Sequence, residues 1–196
     1  MRGALMTLAV MSVGMAALWM GTEGGRVLTA EGARRLAVSL DPRPLPDVPL
    51  QDQRGEALRF SDYQGQPLLV EFIYTRCATI CQSLGESFAQ IQERLPVGKG
   101  AKLLSISFDP RDQTADLLDY AERNGARESL WRIARPSKDA DLRTLLRTFE
   151  VTVIADEFGG FEHNAAILVV DKDGRLVEIV DHQPVDKALE ALWTRS

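Results

Sequence analysis

Residues 67 to 75 read PLLVEFIYT, a nearly continuous apolar run broken by one glutamate. Its length and content predict a central strand buried on both faces of a sheet. The spacing then changes. Leu84, Phe88, Ile91 and Leu95 recur every three or four residues, which predicts an amphipathic helix stopped by Pro96 and Gly98. AKLLSISFD repeats the buried-strand pattern. DQTADLLDYAERNGA predicts a second helix with Leu117, Leu118 and Ala121 on one side and Gly125 as its stop. DADLRTLLRTF predicts a third, with Leu142, Leu145, Leu146 and Phe149 in register. HNAAILVVDKDGRLVEIVD reads as two strands joined by an Asp-Gly type turn, and PVDKALEALW as a closing helix. Upstream, four prolines in DPRPLPDVPLQDQRG exclude a helix and predict an extended lead-in. EALRFSDYQGQ follows as a short strand and turn. The predicted order is strand, helix, strand, helix, helix, hairpin, helix. That order implies an α/β domain with a mixed central sheet flanked by helices.

The first residues differ from all of this. Ala4 to Met20 carries no charge and follows Arg2. As a helix it would extend about 26 Å at ~1.5 Å per residue, close to a ~30 Å hydrocarbon core. Residues 1–21 therefore read as an N-terminal transmembrane anchor, with a cleaved signal as the alternative; Leu28 stands where a cleavage site wants a small residue. Residues 22–36 read as a linker and 37–196 as the folded domain. A short N-tail before a long C-terminal domain implies export. The expected location is the bacterial inner membrane, single-pass, with the domain facing the periplasm.

Composition narrows the function. With 196 residues, 45% hydrophobic and 26% charged, the chain can bury a core without disulfide staples. The net charge of -5 and the lack of a basic block argue against nucleic acid as a partner. Only two cysteines are present, Cys77 and Cys81, in YTRCATICQ, and only two histidines, His163 and His182.

The cysteine spacing carries chemistry. Cys77 falls just past the carboxyl end of the first central strand, where open α/β sheets bind ligands. Cys81 falls in the first turn of the following helix. Residues i and i+4 face the same side, and the helix N-terminus favours thiolate. Their Cα atoms would stand roughly 6 Å apart, close enough for a disulfide. The same pair can hold a soft metal: two thiolates suit Cu(I), and a histidine added to them can hold Cu(II). His163, before AAILVVD, can reach that crevice only through the fold. His182 reads as a surface or helix-capping residue. A buried apolar pair or a purely structural disulfide is the plainer alternative, but a ring this small constrains the unfolded chain little.

At these residues the sequence resembles the Sco/SenC family of copper chaperones. The resemblance rests on FIYTRCATIC, LLSISFDPRDQTADLLDYAERNGA, WRIARPSKDADLRTLLRTFEV and HNAAILVVDKDGRLVEI, in family order over about residues 45 to 181. It implies a thioredoxin-like fold, in its peroxiredoxin-like variant, on a membrane anchor. It implies Cys77, Cys81 and His163 as copper ligands, and Cys77/Cys81 as a redox-active pair. The implied role is delivery of copper to the binuclear site of cytochrome c oxidase, or maintenance of that site's thiols; the implied partners are its copper-site subunit or another copper protein, and a thiol–disulfide reductant. Ala78 and Gln82 stand where the family usually has proline, and Asn164 where serine is common. The alternative function is a periplasmic thiol–disulfide oxidoreductase acting through Cys77 and Cys81. His163 separates the two, because a dithiol reductant has no need of it. A peroxidase fits poorly, since Thr75 lies only two residues before Cys77. Structural zinc would need four protein ligands.

Overall fold

The run read as a buried strand is the centre of the molecule. The computed structural model describes residues 2–22, 29–77, 80–96 and 100–195. The chain opens with helices α1 (Arg2–Gly21) and α2 (Ala30–Leu40), then the short strands β1 (Arg43–Pro44), β2 (Leu50–Asp52) and β3 (Ala57–Leu58), and a 3-10 turn at Phe60–Tyr63. Strand β4 (Leu68–Ile73) follows, with every residue buried. Next come α3 (Ile80–Arg94), β5 (Lys102–Ser107), α4 (Thr114–Arg123), β6 (Trp131–Pro136) and α5 (Asp139–Thr148). The chain ends with β7 (Val153–Ala155), β8 (Phe161–His163), β9 (Ile167–Val170), β10 (Arg175–Val180) and α6 (Val185–Arg195).

Among the described residues, eight strands form one sheet in the order β1-β10-β9-β4-β5-β6-β2-β3. β4 runs parallel to β5 and antiparallel to β9, and β5 runs parallel to β6. The architecture is the expected mixed, thioredoxin-like α/β fold. Leu84, Phe88 and Ile91 of α3 are fully buried, as their spacing requires. Phe88 meets the Trp131 ring at 5.5 Å between centroids. The β9–β10 hairpin turns at Asp171, whose Oδ1 accepts from the Asp173 and Arg175 amides, and at Gly174, which takes φ +74°.

Three features depart from the sequence reading. First, among the described residues no helix is long and apolar enough to cross a membrane. This corrects the expected transmembrane anchor, and with it the single-pass inner-membrane placement, the periplasmic facing and the membrane as a partner. The uncharged part of α1 is only about 26 Å long, short of a ~30 Å core. Thr7, Ser12 and Gly14 also dilute its apolar content. Second, part of the stretch read as a linker is helical. Thr29 caps α2 by accepting from the Gly32 amide. Arg34 and Arg35 of this helix reach the Phe149 and Glu150 carbonyls and the Asp181 carboxylate, and Val38 is fully buried. Residues 23–28 lie outside the described residues, as does the expected helix stop at Gly98. Third, β7 and β8 have no counterpart in the predicted order, and neither has β6. Its Trp131 and Ile133 are buried, but two arginines interrupt the apolar pattern, and Arg132 is accommodated by an ion pair with buried Asp52 at 2.9 Å.

Candidate metal and thiol site

β4 delivers the chain to the site. The residues just past its end are locked from the neighbouring β5–α4 loop. Asp112 accepts from the Thr75 amide (2.9 Å), the Thr75 hydroxyl (2.8 Å) and the Ser107 hydroxyl (2.6 Å). Asp112 is nearly fully buried, so this anchor is shielded from water. Cys77 follows at the edge of a cavity of about 420 Å³ that Arg76, Glu86, Tyr120 and Arg123 also line.

The two cysteines occupy different environments. Cys77 is half-buried, whereas Cys81 is fully buried in the second position of α3. Both are in the dithiol form. The Cys81 amide donates to Cys77 Sγ at 3.3 Å, placing the positive end of α3 against that sulfur. Burial pushes the Cys81 thiol far above the ordinary cysteine range, and Cys77 beside it adds to the rise. Cys81 Sγ in turn lies 3.8 Å from His163 Nε2.

His163 arrives on a separate two-stranded ribbon, β7–β8, in which it sits opposite Val153. Its ring packs edge-on against Phe108 at 5.1 Å. Burial lowers its pKa to about 4, which keeps the imidazole neutral near pH 7. Nδ1 is buried without a hydrogen-bond partner. A neutral imidazole with one nitrogen aimed at a sulfur is in the protonation state that metal ligation requires.

The fold thus brings the three residues expected from the sequence into one string of contacts, Cys77 to Cys81 to His163. It does not close them into a cage. Among the described residues, no group of three or more His, Cys, Asp or Glu side chains is arranged to hold a metal ion. Gln82, where the resemblance implies proline, fits the helix and donates to Glu86 one turn on. Ala78 lies outside the described residues. Asn164 has a clear task at the ribbon's base: it accepts from the Thr152 amide at 2.7 Å and donates to the Glu150 carbonyl at 3.0 Å.

The profile of the SCO1/SenC family matches residues 46–193. The chain belongs to the SCO1/SenC family. A SCO1 protein homolog of Bacillus subtilis is 23% identical over 154 residues, covering 74% of this chain and 79% of that protein. The structure of BsSco, described as a member of the Sco family of cytochrome c oxidase assembly proteins with a disulfide switch, superposes with a TM-score of 0.69 at 21% identity, covering 79% of this chain and 95% of BsSco. Bradyrhizobium japonicum ScoI, solved with copper bound, gives a TM-score of 0.64 at 22% identity, covering 77% of this chain and 98% of ScoI. The family is associated with copper handling and cytochrome c oxidase assembly.

Sequence reasoning does not find the polar network behind the two cysteines. Tyr120 donates to the Cys81 carbonyl at 3.0 Å and lies 3.4 Å from Glu71 Oε1. Ser105 donates to the same Glu71 oxygen and receives a bond from the Trp131 indole at 2.8 Å. Burial raises the Glu71 pKa to about 8, so its carboxyl is largely protonated at neutral pH. A lone glutamate inside PLLVEFIYT is the one signal the sequence offers.

Proposed function

We propose that this chain carries copper as cargo through Cys77, Cys81 and His163, and passes it to the binuclear copper site of cytochrome c oxidase. The observation that carries the proposal is the 3.8 Å approach of His163 Nε2 to Cys81 Sγ, with the imidazole held neutral. Membership of the SCO1/SenC family and the copper-bound Bradyrhizobium relative support it. Two thiolates suit Cu(I), while Cu(II) calls on the imidazole nitrogen as well. Cys77 at the surface is the sulfur an incoming donor or acceptor protein meets first. Cys81 and His163 behind it shield the cargo from water.

A second reading is thiol–disulfide exchange, and the asymmetry of the pair favours it. A half-exposed Cys77 can attack or be attacked, and the buried Cys81 can resolve the mixed disulfide. Copper analysis of the dithiol protein, the disulfide form, Cys77→Ser and Cys81→Ser separates the readings. The cargo reading expects one copper on the dithiol protein and none on the other three. Equal copper on the dithiol and disulfide forms would contradict it and leave thiol exchange as the better account.

A further inference from the structure

The β7–β8 ribbon that brings His163 to the cysteines hydrogen-bonds in strand register only with itself among the described residues. Something other than the main sheet must hold it in place. At its base Asn164 ties Thr152 and Glu150. Along its length Phe161 packs against Tyr74 at 5.3 Å and Phe108 at 5.5 Å. These ring contacts give attraction but little directional control, and the Tyr74 hydroxyl adds only long bonds, 3.5 Å each, to the Phe161 carbonyl and amide.

The tip has a directional contact. Asp156 Oδ1 accepts from the Phe158 and Gly160 amides, which folds the turn back on itself. Gly159 sits in that turn with φ +81°, a conformation that side chains disfavour. Its carbonyl accepts from Arg111 Nη2 at 2.7 Å. The same guanidinium grips Asp109, with Nε 2.9 Å from Oδ1 and Nη2 2.9 Å from Oδ2. It also lies over the Phe161 ring, 5.5 Å from the centroid. Asp109 is buried, and its Oδ2 also accepts from Arg76 Nη2. Arg76 immediately precedes Cys77. A continuous bridge therefore runs from the cysteine loop through Arg76, Asp109 and Arg111 to the ribbon tip.

We propose that Arg111 is a positioning residue that clamps the His163 ribbon to the cysteine loop. The planar, rigid fork of arginine is what the task needs, because one group must meet a carboxylate and a carbonyl together. Arg111 is about half exposed, with a relative side-chain accessibility of 48%. Asp109 keeps Arg76 as a charged partner when Arg111 is removed, so the buried carboxylate is not abandoned. The consequence for metal rests on the copper reading above; the clamp itself does not.

The test uses the full chain, metal-free and reduced, as wild type, Arg111→Ala and Arg111→Lys. Amide hydrogen exchange is followed at Asp156 and Gly160 on the ribbon, and at Leu69 and Ile106 in the main sheet. Loss of one charge-assisted contact should speed ribbon exchange about tenfold in Arg111→Ala, with the sheet amides unchanged. Cu(II) affinity should fall about tenfold, while Cu(I), held by the thiolates, stays at the wild-type value. Arg111→Lys keeps the charge but not the fork, and should remain closer to alanine than to wild type in both measurements. Unchanged ribbon exchange in Arg111→Ala would overturn the clamp. Full rescue by lysine would overturn it too, reducing Arg111 to a counter-charge for Asp109. Faster exchange with unaltered Cu(II) affinity would uphold the clamp and overturn only its consequence for the metal. If wild type itself showed no sulfur-to-copper absorption, the copper reading would fall, and the exchange comparison alone would still decide the clamp.

Discussion

The site's chemistry turns on how each residue is buried. Cys81 is fully buried and Cys77 is not, so a neutral alkylating reagent should modify Cys77 first. Mass mapping after brief treatment of the reduced protein should place nearly all label on Cys77; equal labelling would mean that the α3 terminus opens readily. Glu71 is the other residue set by burial. Its pKa is about 8 in the fold against 4.5 in the unfolded chain. The folded state therefore binds the proton more tightly between those values. Glu71's contribution is intact below about pH 4.5 and is lost as pH rises through about 8. Glu71→Gln keeps the shape without the titration. Relative to wild type it should gain stability across that window, by on the order of 3–5 kcal/mol, since each pH unit between the two values is worth roughly 1.4 kcal/mol. Denaturant unfolding at about pH 5 and about pH 9 checks this. A constant difference between the two proteins at both pH values would contradict it.

At the scale of elements, α3 and α4 meet so closely that any side chain at position 85 would have to push the Asn124 and Tyr120 side chains aside. A Cβ at Gly85 would lie 2.4 Å from Asn124 Oδ1 and 2.7 Å from the Tyr120 hydroxyl. Gly85→Ala should therefore cost about 1–3 kcal/mol, and should weaken the Tyr120 bond to the Cys81 carbonyl. Unfolding titrations measure the first effect and the alkylation rate of Cys81 the second. How much of each element the sequence discloses follows from how local its signal is. β4, α3 and the β9–β10 hairpin advertise themselves by period and turn residues that lie within the element. So does the position of Cys77 and Cys81, which depends only on the strand-to-helix junction. β6 is masked because Arg132 and Arg135 lean on partners distant in sequence, Asp52 and Gln51, besides the local Glu128. β7 and β8 are three residues each, too short to show a period, and Asp156, Glu157 and Gly159 make the segment read as loop. The approach of His163 to Cys81 spans 82 positions, and only the folded chain displays it.

At the scale of the whole molecule, α2 is part of the domain's structure. α2 packs on β10 and carries the fully buried Val38. A truncated chain beginning at residue 29 should thus be more stable than one beginning at residue 37, which loses the Thr29 cap, Arg34 and Arg35 and leaves Val38 without most of its helix. Burying one valine is worth about 1.5–3 kcal/mol and a cap about 1 kcal/mol, so the melting temperatures should separate by several degrees. Equal melting temperatures would show that α2 contributes nothing to the fold. The fold as a whole serves to bring one ribbon, one strand end and one helix start to a single point. Whether that point is a copper site is decided most directly by titrating the reduced protein with Cu(I) and Cu(II), beside His163→Ala. The two thiolates should hold Cu(I) in both proteins. Wild type alone should hold Cu(II) tightly and show intense sulfur-to-copper absorption, because the harder ion calls on the imidazole. A His163→Ala variant with wild-type Cu(II) affinity and spectrum would contradict the account.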